Sequence, residues 1–397
     1  TEKMVNQSLE NSDAAKKVAE VKKQIKQLED QAVPVLIMKE AAEPVPAYVL
    51  ERGAYDKPIT DTVIERKPPS MVDLPMPEGA PNNRLGFAQW LTQDEHPLTA
   101  RVHVNRLWQM LFGTGIVKSV EDFGSQADWP SHPNLLDYLA VRFTESGWDQ
   151  KALIRDIVTS ATYRQQATRN AEAEEIDADN RLLSHFPRQR LKAEFIRDQA
   201  LAVAGLLNDE IGGPSVKPYQ PGDLWNEVAI GGTNTGRFQR DSGDALYRRS
   251  MYTFWKKTSP PAQMQIFNAP TREFCTVGRD TTNTPLQVLT LWNDEQFLEA
   301  ARVLAQRTLA ESNDDAKRLE LIYRRCTGDV PDADELAVLQ DVLAYYRERY
   351  AGSAEDAKAL LTQGEYPLPE THDPAELASW MMVASTALSL DETIVRD

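Results

Sequence analysis

Apolar residues recur at intervals of three and four from Asn83 to the end of the chain, and this helical period constrains the fold more than any other feature. One clear case lies between Ser131 and Gly147. Its apolar face consists of Leu135, Leu136, Leu139, Ala140 and Phe143. The serine, followed by Pro133, favours a helix start, and the glycine favours a helix end. The sequence therefore predicts a mainly α protein, in which residues 82–397 form one large helical domain with long ordered loops.

Other helix starts are predicted from capping patterns. Aspartates that can cap a helix occur at Asp149 and at Asp332 or Asp334. The order Thr284, proline, any residue, Gln287 predicts a capping box, in which the two side chains bond each other's backbone amides. We expect this box to open a long helix that continues to Ala300.

The first 32 residues predict a separate coiled-coil-like helix. Its apolar positions follow one another at three- and four-residue spacing and are Val18, Val21, Ile25 and Leu28. Such a stripe suits packing against a second helix, located upstream of Thr1 or in another chain. A lone solvated helix is the alternative.

Residues 33–81 predict a small β element and a strap. The runs 33–38 and 47–52 are rich in β-prone residues and are expected to pair with each other. Residues 57–81 carry six prolines and little periodicity, which is typical of a linker or of a segment laid over the surface.

Composition excludes several classes of function. A net charge of −16 repels nucleic-acid phosphate and anionic lipid, so no nucleic-acid partner is expected. No apolar run is long enough for a membrane span, and the chain as given has no leader-like start. Its two cysteines, Cys275 and Cys326, cannot form a haem-attachment or cysteine-rich zinc motif. They could form one disulfide or remain as two buried thiols.

A polar cleft is predicted around the helix that begins near Thr99. The candidate residues are Arg101, Asn105, Arg106, Asp122, His132 and Asp137. Arg101 and Asn105 fall beside the apolar stripe of that helix, so we expect both to be partly buried and an arginine to lie within salt-bridge reach of one of the two acids. A closed pair would be a structural clasp, whose loss would cost about 3 to 5 kcal/mol. An open arrangement would be a ligand site, in which His132 could donate a proton or bind a metal.

A second candidate is an anion pocket. Four arginines flank apolar runs, namely Arg248, Arg249, Arg272 and Arg279, and could bind a carboxylate, sulfate or phosphate. Pairing with the excess of acids is the alternative. A third set, Arg190, Glu194, Arg197 and Asp198, has helical spacing and predicts a ladder of ion pairs on one helix face.

A glycine-rich stretch, residues 207–247, interrupts the helical pattern. Its aromatic residues favour an ordered loop over a disordered one. Together with Trp255, the loop residues Tyr219 and Trp225 could also act as stacking platforms for sugars.

Catalytic and metal motifs are weak in this sequence. It contains no GxSxG, P-loop or GxGxxG motif, and its five histidines show no ligand-like spacing, so no metal is expected. Among sixty acidic residues, spacing alone identifies no pair suited to glycoside hydrolysis. Whether the chain is an enzyme stays open.

Longer motifs carry a family resemblance over most of the chain after Asn83. They include HPLTARVHVNRLWQMLFGTGIV from His96, EDFG from Glu121, PSHPNLLDYLA from Pro130, LYRRSMYTFWKKTSPP from Leu246 and TNTPLQVLTLWND from Thr282. These motifs resemble the planctomycete family known as domain of unknown function 1553, which lies at the C-terminal end of exported proteins. The chain departs from the family pattern at Asn268, usually Asp, and at Gly278, usually Arg.

The resemblance implies an exported protein, periplasmic or at the cell surface. It also implies upstream domains as partners, including a cytochrome-c-like domain whose haem would lie outside this chain. We therefore expect a structural and interaction module of an exported, cytochrome-c-linked protein or complex, associated with polysaccharide handling and without a cofactor of its own. The alternatives are a catalytic domain acting on glycans and a carbohydrate-binding module.

Overall fold

The structure is a computed structural model, and it describes residues 13–32, 35–41, 43, 45–222, 224–228, 235–368 and 372–396. It confirms the mainly α prediction. The chain divides into two units, residues 1–96 and residues 97–397.

Within the residues that the structure describes, the first unit contains two α-helices and a hairpin. Helix α1 spans Asp13–Gln31, and strands β1 (Ala47–Leu50) and β2 (Pro58–Ile64) pair antiparallel, with Ala47 opposite Ile64. The predicted pairing of 33–38 with 47–52 is therefore wrong, since the partner strand comes from the segment interpreted as a strap. Both runs have β-prone residues and lie at a similar distance along the chain, and β-propensity alone does not specify which run pairs with residues 47–50.

Helix α2 (Arg84–Leu91) and the residues that follow it contact the proline-rich chain at Leu74 and Pro75. Its N-cap is Asn83, whose side chain accepts hydrogen bonds from the next turn. Trp90 is buried and donates its indole N–H to the carbonyl of Leu74 at 2.8 Å. This bond ties the proline-rich chain to the helix.

The second unit has two hydrophobic cores. The smaller core lies among α3 (Thr99–Phe112), α4 (Pro133–Glu145) and α5 (Gln150–Val158). Short helix α6 (Ala171–Ile176) follows, and then strand β3 (Gln189–Arg190). Strand β3 pairs antiparallel with β4 (Val395–Arg396), which brings the far end of the described chain beside the first half of the unit.

The larger core surrounds two apolar helices. These are α11 (Glu295–Glu311) and α15 (Pro374–Leu388), which are buried on almost every side. Around them pack α7 (Ala193–Ala204), α9 (Ala262–Ile266), α10 (Pro285–Asn293), α12 (Asp315–Thr327), α13 (Ala333–Ala351), α14 (Ala354–Leu361) and α16 (Asp391–Ile394). The short helix α8 (Leu224–Glu227) lies in the glycine-rich stretch.

The predicted helix starts have mixed outcomes. Asp149 caps α5, and Asp332 forms a complete capping box with Glu335 at the start of α13. Ser131 does not cap α4, because His132 occupies the N-cap position and Pro133 is the first helical residue. Thr284 occupies the N-cap position of α10 with no side-chain cap, so the predicted capping box is wrong.

The long helix predicted to reach Ala300 is also divided. Asp294 adopts an extended backbone, ends α10 and caps α11 by accepting a hydrogen bond from the Gln296 N–H. Gln287 does not turn back to its own helix end, because its amide donates to the carbonyl of Ile266 at 2.9 Å.

Both cysteines are free thiols. Cys275 is exposed and Cys326 is buried, so the disulfide alternative is wrong, and so is the expectation that both thiols are buried. Burial raises the pKa of the Cys326 thiol to about 12, which leaves it protonated and unreactive.

No helix in the described residues is long and apolar enough to cross a bilayer.

Candidate functional site

The predicted ion pair of α3 is present. Arg101 Nε lies 2.7 Å from Asp137 Oδ1 on α4, which confirms the expected salt-bridge reach. The two side chains are 36% and 55% exposed, so Arg101 is partly buried, as expected, and the ion pair itself is open to solvent. Its guanidinium lies at the edge of the interface between α3 and α4, partly in contact with solvent, and also donates to the carbonyl of Pro97. The pair is a surface clasp between helices.

Asn105 occupies the interior of the same helix face. It is fully buried, donates from Nδ2 to the Val117 carbonyl at 2.9 Å and accepts at Oδ1 from the Val117 N–H at 2.9 Å. These two bonds satisfy the amide and fix the loop after α3, so Asn105 has a structural role.

The remaining members of the predicted cleft bond within their own turns. Asp122 Oδ1 accepts from the Gly124 N–H at 2.7 Å, and His132 Nδ1 lies 3.0 Å from Ser131 Oγ. Arg106 is exposed. The structure thus joins Arg101 to Asp137 and does not assemble the six residues into one cleft.

The four predicted pocket arginines are also separated. Arg248 is buried, donates to the carbonyls of Pro214, Glu210 and Gly212, and stacks over Tyr252 with 3.9 Å from Cζ to the ring centre. Its Nη1 and Nη2 groups bond the glycine-rich loop, which therefore gains order from a buried guanidinium, while its buried Nε has no hydrogen-bond partner.

The other three arginines have different environments. Arg272 lies over the Trp255 ring at 4.2 Å, Arg249 is exposed, and Arg279 forms a bidentate pair with Glu194 at 2.6 and 3.1 Å. The four do not share one anion pocket, because Arg248, Arg272 and Arg279 have different partners, namely backbone carbonyls, the Trp255 ring and Glu194.

The predicted stacking platform is contradicted by burial. Tyr219 is 4% exposed and Trp225 is 1% exposed. Trp255 is covered on one face by Arg272 and donates its indole N–H to the Thr271 carbonyl. Residue 223 and residues 229–234 of the loop lie outside the described residues. The aromatics form part of a core, as the ordered-loop interpretation requires.

A cleft that the sequence did not predict as a site lies between the two cores of the second unit. It has a volume of about 350 Å³. Its walls come from the end of α3, from strand β3 and its flanks, from the chain before α10 and from α10 itself. Four cationic residues line it, namely Arg188, Arg190, Lys192 and Arg279, together with one carboxylate, Asp280.

Arg190 is the residue of this cleft with the least internal compensation. Its Nη2 donates to Gln287 Oε1 at 2.8 Å, while its buried Nε has no hydrogen-bond partner. It forms no ion pair within the part of the chain that the structure describes. Burial lowers the pKa of this guanidinium, with Asp391 opposing the shift. The cleft thus holds a partly desolvated charge bonded to a neutral amide.

The neighbouring charges are arranged around Arg190. Arg188 reaches Asp391 at 3.0 Å, and Lys192 is exposed at the edge of the cleft. Partial desolvation, together with the like charge of Arg279, lowers the pKa of Lys192. Burial alone would raise the pKa of Glu194, but hydrogen bonds from Arg279 and the backbone lower it, so that the pair stays ionised.

Local structure explains why these cations face one cleft. Residues 189–190 are extended and pair with β4, and the Leu191 N–H donates to the Ile394 carbonyl at 2.8 Å. In extended chain, residues two apart share one side, so Arg188, Arg190 and Lys192 are expected on the same face. The alternating basic residues of PRQRLK were the signal that could have located the site.

The predicted ion-pair ladder fails for the same reason. Arg190 lies in the strand before α7, Glu194 bonds Arg279, and Arg197 bonds carbonyls as well as Asp198. The four residues have helical spacing in the sequence, but the backbone at Arg190 is extended, so this residue does not share a helix face with the other three.

The floor of the cleft is a chain of neutral hydrogen bonds. Gln287, which is 1% exposed, donates to Thr282 Oγ1 at 3.2 Å, and Asn268 Nδ2 donates to the same oxygen at 2.7 Å. Asn268 adopts a left-handed backbone with φ of 59°, which asparagine tolerates better than most residues. This network fixes the polar wall beside Arg190, whose Nη2 is bonded to Gln287.

No group of three or more metal-ligating side chains is brought together in the residues that the structure describes. The cleft therefore offers cations, amides and hydroxyls as its chemistry.

Comparisons with known proteins give one match. The family described as "Protein of unknown function (DUF1553)" matches residues 83–343, a span that includes α3, the strand of the cleft and α10. No curated protein and no solved structure matches the chain. Because the family match covers well over half of the sequence, the chain belongs to the DUF1553 family of proteins of unknown function.

Proposed function

We propose that this chain is a structural and interaction module of an exported multidomain protein or complex that is linked to a cytochrome c and associated with polysaccharide handling. The observation that carries the proposal is the bare apolar stripe of α1. The exposed fractions of its members are 54% for Val18, 50% for Val21, 49% for Ile25 and 67% for Leu28.

This stripe fits a partner helix. Its spacing of three, four and three residues places all four side chains on one seam, as in a coiled coil. A helix of 19 residues is marginal in water without packing, so a partner that covers the seam would supply its stability. The expectation that α1 docks on a second helix is not met within the described chain, which leaves a partner chain as the proposed occupant.

The charged clusters support a structural over a catalytic role. Arg101 is bound to Asp137, Arg279 to Glu194, and Arg248 to backbone carbonyls. Groups spent on internal contacts are not free to act on a substrate. The haem of the proposed assembly would belong to a neighbour, since the two cysteines of this chain cannot form a haem-attachment motif.

Acidic charge is consistent with such a neighbour. The net charge of −16 would steer a partner with a basic surface and would speed its association at low ionic strength.

Catalysis on glycans has less support. The carboxylate lining the cleft, Asp280, stands among four cations, whereas glycoside hydrolysis uses two carboxyl groups across the scissile bond. His132 and Asp122, which were candidates for that chemistry, do not line the cleft.

The test is the native complex. A tagged chain would be expressed in its native cells, and the co-purifying chains would be identified by mass spectrometry and haem staining. We expect a haem-bearing chain to co-purify and Ile25→Asp to release the partner that covers the stripe. Lys23→Asp, which places the same carboxylate on the opposite face of α1, should retain it. Equal recovery of all chains with both variants, or a complex without haem, would contradict the proposal.

A further inference from the structure

We propose that the cleft between the two cores of the second unit binds a small hydroxylated organic anion, through the charged groups of Arg190 and Lys192 and through the amides and hydroxyls that also line the cleft. This site does not depend on the proposed interaction function, because it lies in the second unit and α1 lies in the first.

The first step is the incomplete environment of Arg190. Its one hydrogen-bond partner within the described residues is the neutral Gln287 amide, and its buried Nε has none. A guanidinium partly removed from water is costly unless an anion or several acceptors satisfy it. The remaining terminal nitrogen, Nη1, forms no hydrogen bond with any residue in the described ranges, so it can donate to a ligand oxygen.

The second step is the surplus of positive charge at one opening of an acidic protein. Lys192 forms no ion pair in the described part of the chain, and Arg188 adds a second guanidinium that is shared with Asp391. Arg279 is neutralised by Glu194. Two cations, Arg190 and Lys192, therefore remain uncompensated by direct contact, and both have a pKa lowered by desolvation. An anion between them would relieve that cost.

The third step is the neutral polar wall. Amides and hydroxyls line part of the cleft, contributed by Gln109, Thr114, Asn268, Thr281, Thr282 and Gln287, beside the carboxylate of Asp280 and the apolar side chains of Met110, Phe112, Phe267 and Val277. Such groups both donate and accept, which suits ligand hydroxyls better than ligand methyls. The wall is held in place by the bonds of Asn268 and Gln287 to Thr282, so it is organised before a ligand arrives.

The fourth step is size. A cleft of about 350 Å³ lies at the lower end of the usual range for small-molecule sites. It accommodates one sugar-sized ring with an acidic substituent and excludes a long chain from full burial. The ligand class is thus a carboxylate, sulfate or phosphate ester carried on a polyhydroxylated body.

The experiment is isothermal titration calorimetry on the full chain with four matched probes. These are glucuronate, glucose 6-sulfate, glucose 6-phosphate and glucose. We expect at least one acidic probe to bind about ten-fold or more tightly than glucose, because a charge-assisted hydrogen bond is worth about that factor. Its affinity should fall as sodium chloride is raised. The rank of the three acids identifies the anionic group. If no acidic probe binds more tightly than glucose, the proposal is wrong.

Variants locate the site. Lys192→Gln should weaken the acidic probe about ten-fold without changing the melting temperature, and Arg190→Gln should weaken it further. Lys151→Gln, the same substitution at an exposed position of α5, should leave binding unchanged. Binding that is unaffected by both cleft variants would overturn the assignment. None of the three changes should alter recovery of the partner that depends on Ile25, so this result and that of the native complex can fail separately.

Discussion

Arg197 and Arg190 are seven residues apart, and both have guanidinium groups withdrawn from water, yet their surroundings differ. Arg197 is 1% exposed and donates to Gln296 Oε1 at 2.7 Å, to the carbonyls of Leu246 and Arg248 and to Ser250 Oγ. Arg190 has one neutral partner and an unpaired Nε. A charge with a complete set of acceptors stabilises the fold. Arg190 instead has one acceptor and lines an open cleft, where a ligand can supply further acceptors.

Position within the fold produces this difference. Arg197 lies in the middle of α7 and faces α11 and the turns around Ser250, where carbonyls surround it. Arg190 lies in a two-residue strand at the rim of a cleft. The predictions below test this contrast between a structural and a ligand-binding arginine.

The largest expected effect is on folding stability at Arg197. Arg197→Met removes the donor to several buried acceptors, so we expect the free energy of unfolding to fall by about 3 to 5 kcal/mol. Arg190→Met should lower it by about 1 kcal/mol or less, since that side chain has one partner to lose. Urea denaturation measures both. Equal losses for Arg197→Met and Arg190→Met would contradict the contrast between the two arginines.

The second largest expected effect is a pH dependence of the free energy of unfolding, caused by a carboxyl group near Arg197. Asp294 lies near it, and burial raises the pKa of this carboxyl from 3.8 to about 6, with the Gln296 N–H and Arg197 opposing the shift. A folded-state pKa above the unfolded value means that the contribution to stability is complete below about pH 4 and is lost as pH rises through 6. Asp294→Asn removes that loss. The stability of the variant relative to the parent should therefore increase from pH 4 to pH 7 by up to about 3 kcal/mol. A difference that stays constant over this range would contradict the shift.

Asn105 tests whether a neutral group with a complete set of partners behaves as Arg197 does. Asn105→Ala leaves the buried N–H and carbonyl of Val117 without their partners, and we expect a loss of about 2 to 3 kcal/mol in the free energy of unfolding. Asn134→Ala, at an exposed position of α4, should change it by about 0.5 kcal/mol or less. Thermal and urea denaturation measure both losses. Equal losses for Asn105→Ala and Asn134→Ala would contradict the structural role of Asn105.

Arg101 should give the smallest effect. Its pair with Asp137 is more than one third exposed on both sides, so Arg101→Ala should cost less than about 1 kcal/mol. The expected cost is therefore smaller than the cost of about 3 to 5 kcal/mol that a closed, buried ion pair would give. The small loss should shrink further at high salt, because exposed charges are screened. A loss as large as that of Arg197→Met would show that exposure does not separate the two arginines.

Local sequence predicted those features whose partners lie within a few residues. Asp149 caps α5, Asp332 caps α13, and Pro133 begins α4. In each case the donor and acceptor are fixed by the geometry of a single helical turn, so no distant contact can move them far.

Predictions failed where a distant group competed for the same side chain. Gln287 was expected to bond its own helix end, but it is held by Ile266 and by Arg190, which is 97 residues away in sequence. The strand partner of residues 47–50 was assigned to the wrong run, because β-propensity does not specify which strand pairs with which.

By itself, then, the sequence determined the mainly α class and several helix starts, because helical period and capping act over one or two turns. Its longer motifs determined the family. Only the tertiary structure decided that Arg197 has a full set of hydrogen-bond acceptors and that Arg190 has one. Arg190, Lys192, Gln287 and Asn268 meet only after β3 pairs with β4 and α10 packs beside them. The acceptors around a charge come from chain segments far apart in sequence, and no local pattern encodes their number.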